Sequence, residues 1–336
     1  MDFTLNEEQK ILQRNVRDFS EKEIRPIAGR IDVDEEFPWD SFHKMADLGL
    51  MGVTIDPEYG GTGGSYIDLA IVVEELARVC ASTSLIYVAN ISLTANCIET
   101  YGTSHQKSQF LTPLVRGQKL GAFALSEANA GSDVASLRTS AIKHGGDYFI
   151  NGSKTFITNG DLADVIIVFA TVDRKLGAKG ISAFFVEKNS EGFSGRNERG
   201  KMGMRGSTTA ELFFDDCKIP SINQLGEEGK GMNIALATIT SGRIAIAAQA
   251  VGIAHAALAT SLKYAQQRQA FDQPISEFQG IQWMMADMAT QINAARLLTY
   301  QSADKKERGE PFERESAMAK LFASEVAGYV TSKAIQ

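Results

Sequence analysis

Residues 147–158 read DYFINGSKTFIT, and residues 123–133, just upstream, read FALSEANAGSD. In the first stretch Asn151-Gly152 stands between two β-prone runs, which predicts a hairpin turning at that dipeptide. The second strings together far more small residues than a turn needs. A surface that receives a large ligand close to the main chain needs several small side chains in a row, and the string running from 151 to 160, NGSKTFITNG, has the same character. Working outward, DVIIVFATVD (164–173), ISAFFVEKN (181–189) and AELFFDDCKIP (210–220) are short runs rich in Val, Ile and Phe, bounded by Gly, Asp or Pro. That spacing predicts a compact, mostly antiparallel β-domain, a barrel or sandwich, over residues 120–224.

The flanking segments read as helix. In TLNEEQKILQRNVRDFS (4–20), Thr4 with Glu7 forms a capping-box pattern, and Ile11, Leu12, Val16 and Phe19 recur at three- and four-residue steps as one buried face. Pro57 and four glycines in PEYGGTGGS (57–65) interrupt the helices, as a long connection or a binding loop. An all-α domain is expected over 1–119. From Gly231 to Arg268 the chain is almost unbroken in helix-compatible residues, enough for a rod of roughly 50–60 Å. FDQPIS (271–276) breaks it at Pro274, a second long amphipathic helix follows over 278–307, and a third begins at 314. Long antiparallel helices with apolar stripes pack as a bundle, here over 225–336. The third helix reaches Gln336 with its stripe still running and no C-cap, so the bundle is expected to be incomplete at its end.

The bulk numbers agree with a soluble globular chain of two or three domains: 336 residues, 44% apolar and 22% charged. Lysine and arginine number 34 against 41 aspartates and glutamates, a net charge of −7 with no basic block, which argues against nucleic-acid binding. Cys80, Cys97 and Cys217 and the four histidines show no disulfide or metal spacing. The opening MDFTLNEEQK lacks a signal layout, and no stretch reads as apolar enough to span a bilayer. A cytoplasmic location is expected, or a mitochondrial matrix one for a processed eukaryotic chain.

With PEYGGTG, LSEANAGSD, NGSKTFITNG, KMGMRGSTTAELFFDD, GRIAIAAQAVGIA, RQAFDQPISEFQGIQWMMADM and the closing AIQ in this order, the chain resembles the acyl-CoA dehydrogenase family over essentially its whole length, the short-chain or butyryl-type members most. The resemblance implies non-covalent FAD. Phe123, Leu125 and Ser126 would run along the isoalloxazine edge, and Gly131 and Ser132 along the pyrophosphate. Phe156, Ile157 and Thr158 would stand beside the ring, Phe156 where many relatives carry tryptophan. Arg268, Phe271, Gln279 and Gln336 would reach the flavin of a neighbouring subunit, which implies a homo-oligomer, usually a tetramer built as a dimer of dimers. Arg243 would contact coenzyme A, Ser132 would also touch the thioester, and Thr240 stands where the family commonly has an aspartate against the pantetheine. The implied partners are an acyl-CoA and an electron-transferring flavoprotein.

Desaturating an acyl thioester needs a base for the α-proton, in this family a glutamate. Most members carry it in an EGT-like turn near the C-terminus, beyond the point this chain reaches. A smaller branch carries it immediately before the arginine matching Arg243, where this chain has Gly242. The base is therefore expected past Gln336, and the chain reads as a C-terminally shortened dehydrogenase acting on a short or branched acyl-CoA and giving the 2-enoyl-CoA. Two other readings stay open: a non-catalytic protein that keeps the fold for assembly or regulation, and an acyl-CoA oxidase-type flavoenzyme.

Overall fold

The computed structural model describes residues 4–336. Helices precede and follow a strand-rich middle, the α, β, α order expected from the sequence. The leading helices are α1 (Glu7–Phe19), α2 (Arg25–Asp34), α3 (Trp39–Asp47), α4 (Tyr66–Ala77), α5 (Ala81–Val88), α6 (Asn96–Tyr101), α7 (Ser104–Gln106) and α8 (Thr112–Val115). The strands β1 (Gly121–Ala124), β2 (Ser140–His144), β3 (Asp147–Thr158), β4 (Val165–Thr171), β5 (Ile181–Glu187), β6 (Phe193–Asn197), β7 (Thr209–Pro220) and β8 (Gln224–Leu225) follow. Then come α9 (Gly231–Gln267), the short strands β9 (Gln269–Ala270) and β10 (Gln273–Pro274), α10 (Gln279–Glu307) and α11 (Glu313–Ile335). The chain packs as two compact units. One comprises the chain up to Ala28, Ser65–Ser84 and Thr240–Gln336; the other comprises Gly29–Gly64 and Leu85–Ile239.

In the second unit β1 to β8 form one sheet, in the order β6-β7-β3-β2-β4-β5-β8, with β1 added beside β4. The pairing is antiparallel except where β4 meets β1 and the end of β2. Every residue of β4 is buried, which explains its unbroken apolar run: a strand covered on both faces has no polar side to alternate with. Strand β7, between β6 and β3, instead alternates along much of its length. The predicted hairpin at Asn151-Gly152 is not there. β3 runs straight through the dipeptide, and the turn lies at Gly145-Gly146, between His144 and its partner Asp147. Gly152 serves a different need. Its pairing with β7 slips there, its φ is +143°, and any Cβ would press into Thr139.

In the first unit α9, α10 and α11 share a core of small and branched side chains, among them Ala247, Ala254, Met288, Ala295, Ala323 and Val330. Helix α4 is the second axis of this unit and carries adjacent buried carboxylates, Glu74 and Glu75. Arg17 of α1 and Arg78 each place a guanidinium nitrogen 2.7 Å from Glu75. Arg296 of α10 donates to Glu74 through Nε and Nη2, at 3.0 and 2.7 Å, and His255 of α9 stands 3.6 Å away. Gly252 lets α9 approach the backbone of α4, since a Cβ there would lie 2.7 Å from the Ala77 methyl.

Three local expectations change. The first helix is capped by Asn6 rather than Thr4, in a reciprocal box with Gln9. Of its expected buried face, Val16 and Phe19 are buried and Ile11 is about half exposed. Finally, α9 is by length and composition apolar enough to cross a membrane, contrary to the sequence expectation. The cause is its alanine and isoleucine content, and 56% of its apolar window is buried inside the protein, as in a core helix.

Candidate functional site

Strand β1 sits against β4, and Gly121 at its start lies so close to Thr94 that a side chain would collide with it. The Gly121 N–H donates to Asn90 Oδ1 at 2.8 Å. Beyond β1 the chain leaves the sheet as an arch, Leu125 to Thr139, and returns as β2. A two-way backbone bridge between Glu127 and Ala130 ties its first turn. The crest, with Gly131, Ser132 and Asp133, is exposed, and a Cβ at Gly131 would meet nothing within 4 Å.

Strand β3 fastens the arch. The Thr155 N–H donates to the Ser126 carbonyl at 2.9 Å. Lys154, wholly buried, donates through Nζ to the Leu125 carbonyl at 3.1 Å and to Glu127 Oε1 at 2.8 Å. The Glu127 carboxylate in turn accepts the N–H groups of Arg138 and Thr139, at 2.7 and 3.0 Å. One buried ion pair therefore grips both feet of the arch. Burial pushes the Lys154 ammonium down to about 8, against the opposing pull of Glu127. Burial would raise Glu127, but the charge and hydrogen bond of Lys154 hold it below the usual carboxylate range.

Two residues later the register of β3 against β7 slips again, between Lys154 and Ile157. The bulge turns Phe156 to a φ of +60° and leaves its ring 69% exposed, while Ile157 is buried and Thr158 half-buried. Asn159, at φ +64°, ends the strand and donates through Nδ2 to the Gly121 carbonyl at 3.3 Å. Phe123 on β1 rests on Phe169, with centroids 4.8 Å apart. The structure thus brings Phe123, Leu125, Ser126, Ile157 and Thr158 onto one framework, with Phe156 and the Gly131–Ser132 crest projecting from it.

The remaining expected residues lie in the other unit. Arg268 immediately precedes β9, and Phe271 with Asp272 forms the two-residue turn between β9 and β10; both have positive φ, the geometry that suits the twist of a tight hairpin. The Phe271 ring is 90% exposed and meets Phe278 edge-on at 6.1 Å. Gln279 opens α10. Gln336 lines a cleft of about 650 Å³ with Tyr264, Ile275, Ile281, Met285 and Lys333. On α9 the Arg243 guanidinium is 3.5 Å from the Thr240 hydroxyl, one turn away. The sequence reading passed over Glu127 and Lys154, although both stand inside the strings it singled out. A charged residue in each of two small-residue strings was the available signal. Among the described residues no group of three or more His, Cys, Asp or Glu side chains is placed to hold a metal, and the three cysteines are buried free thiols.

Comparison with known proteins gives this geometry its family. Three successive family profiles cover nearly all of the chain: the acyl-CoA dehydrogenase N-terminal domain over residues 6–118, the middle domain over 122–217 and the C-terminal domain over 229–336. The chain belongs to the acyl-CoA dehydrogenase family. It is 47% identical over 336 residues to the short-chain specific acyl-CoA dehydrogenase of Clostridium acetobutylicum, covering all of this chain and 89% of that protein. The butyryl-CoA dehydrogenase of Megasphaera elsdenii superimposes with a TM-score of 0.98 at 44% identity, over 100% of this chain and 89% of that one. A chain from structural work on the electron transferring flavoprotein of Acidaminococcus fermentans matches as well, at TM-score 0.98 and 44% identity, over 100% and 88%.

This acyl-CoA dehydrogenase is accordingly an FAD-dependent oxidoreductase acting on the CH–CH bond of an acyl-CoA. The residues present fit the cofactor. Phe156 offers a flat aromatic face, and the Thr155 hydroxyl beside it is buried with no partner of its own. At the crest of the arch there is no Cβ on Gly131 to hold a phosphate away from backbone N–H donors.

Proposed function

We propose that this enzyme desaturates a short or branched acyl-CoA between Cα and Cβ to the 2-enoyl-CoA, and that it passes the electrons to an electron-transferring flavoprotein. The observation that carries the proposal is the fastened arch with the exposed Phe156 beside it, in a chain that matches short-chain relatives from end to end. When bound, FAD supplies the acceptor for the β-hydride. The protein's own residues bind and orient. Phe123, Leu125 and Ser126 present main-chain groups and a hydroxyl to the isoalloxazine edge, and Thr158 presents a second hydroxyl. Ile157 backs the Phe156 face from inside the sheet, and Phe156 covers the ring by stacking. Gly131 and Ser132 hold the pyrophosphate.

Arg268, Phe271, Gln279 and Gln336 serve the flavin of a neighbouring subunit in a tetramer, where the planar fork of Arg268 suits a phosphate. Arg243 holds coenzyme A, Thr240 hydrogen-bonds the pantetheine through its hydroxyl, and Ser132 touches the thioester. Domain limits at 1–119, 120–224 and 225–336 complete the reading, as does a cytoplasmic or matrix location. Residue 242 is glycine, so the position before Arg243 supplies no α-proton base.

The test is direct. Colourless apoprotein incubated with FAD and then freed of unbound flavin should stay yellow. A series from butyryl-CoA and isobutyryl-CoA to palmitoyl-CoA should show the tightest binding at the short or branched end. Tightest binding of palmitoyl-CoA would refute the substrate class, and an apoprotein that is colourless once unbound FAD has been removed would refute the flavin assignment.

A further inference from the structure

In the Lys154–Glu127 pair the lysine is wholly buried and the carboxylate largely so, and each of its hydrogen bonds ends on the arch. Lys154 holds the carbonyl of Leu125 at the outgoing foot, and Glu127 holds the N–H groups of Arg138 and Thr139 at the returning foot. The span from Ala128 to Ser136 between them is largely exposed and makes few bonds back to the sheet. A buried ion pair is a poor way to gain stability, because desolvating both charges offsets most of their attraction, and an apolar pair of similar volume often does as well. A directional grip on three backbone groups is something an apolar pair cannot supply.

We propose that Lys154 and Glu127 are positioning residues for the flavin: together they set the spacing of the two feet of the arch, and through it the placement of Ser126, Gly131 and Ser132. Neither side chain touches the cofactor. The proposal rests on the assignment of the arch to FAD given above, and the experiment separates the two.

Full-length Lys154→Met, Glu127→Gln and the double variant Glu127→Leu/Lys154→Met are titrated with FAD, following the visible flavin bands. Thermal unfolding of each apoprotein is measured in parallel. Each single variant should weaken FAD binding at least tenfold and lower the unfolding temperature. The double variant should regain unfolding temperature, because no buried charge is left alone, while its FAD binding stays at least tenfold weak and its flavin bands stay shifted. A purely structural pair predicts the opposite: FAD affinity returns together with stability. That result, or single variants that bind FAD like the wild type, would overturn the proposal. If the single variants do not fold, the double variant alone decides by the same criterion. Failure of the wild type itself to bind FAD would instead strike the assignment of the arch.

Discussion

Phe156 adopts a left-handed backbone angle that costs a non-glycine residue roughly 1–2 kcal/mol. The two anchors just before it, Thr155 on Ser126 and Lys154 on Leu125 and Glu127, hold the strand while the bulge forms. Lys154 has a pH signature of its own. The groups facing its ammonium are the Glu127 carboxylate and the Leu125 carbonyl. Its proton is held less tightly in the folded protein, at about 8, than at the ordinary 10.5. Between those values the unfolded chain binds more protons, so this residue's contribution to folding stability is full above 10.5 and is lost as the pH falls through 8. Urea midpoints of wild-type and Lys154→Met apoprotein should therefore diverge in favour of the wild type as the pH rises from 8 to 10.5. A difference that stays flat would contradict the burial of a titrating lysine. The two arginines assigned to ligands separate in the same way. Arg268→Ala should lower FAD affinity and spare acyl-CoA, and Arg243→Ala should do the reverse. Each loss should be about 1.5–3 kcal/mol, the scale of a hydrogen bond to a charged group. Equal effects of both substitutions on both ligands would void the separate assignments.

Among the elements, α4 depends on arginines that arrive from far along the chain. Arg296 reaches Glu74 across 222 residues of sequence, and Glu74 is almost wholly buried. Burial would raise that carboxyl, but hydrogen bonds from His255 and Arg296 and the arginine's charge keep it below the usual range. Arg296→Met leaves the carboxylate with only the more exposed His255 beside it, and should cost about 3–5 kcal/mol in a denaturant titration. Glu74→Gln/Arg296→Met should recover part of that loss, and no recovery would mean that shape rather than charge is at stake. This pair was invisible in the sequence, because neither periodicity nor spacing links positions so distant. The elements themselves were legible: the solid apolar run of β4, the long helix-compatible run of α9 and the break at Pro274 each act locally. Asn151-Gly152 misled because the dipeptide that favours a tight turn also suits a bulge, and only the partner strand β7 decides between them. Thr4 and Asn6 both precede an acid or amide by three residues, so the capping chemistry was readable but its position was not. Of the residues proposed to face the flavin, those on β1, β3 and the arch come from the two small-residue strings. The grip of Lys154 on Glu127 arises only once the sheet forms.

At the scale of the whole molecule, the question is which parts of the reaction these 336 residues can perform. Binding requires placed donors and a flat face, the role we propose for the arch and the exposed Phe156. Removing an α-proton requires a positioned base, and the residue before Arg243 is glycine, which has no side chain to serve. Position 242 therefore offers no base to a bound acyl-CoA. General-base catalysis is typically worth roughly 10²–10⁴-fold, so a carboxylate placed there should speed the anaerobic bleaching of the flavin by a short acyl-CoA. Gly242→Glu supplies one from the helix, one residue before Arg243, and should raise the bleaching rate while leaving FAD affinity unchanged. A Gly242→Glu variant that bleaches no faster than the wild type would mean that a carboxylate at position 242 does not reach the α-proton.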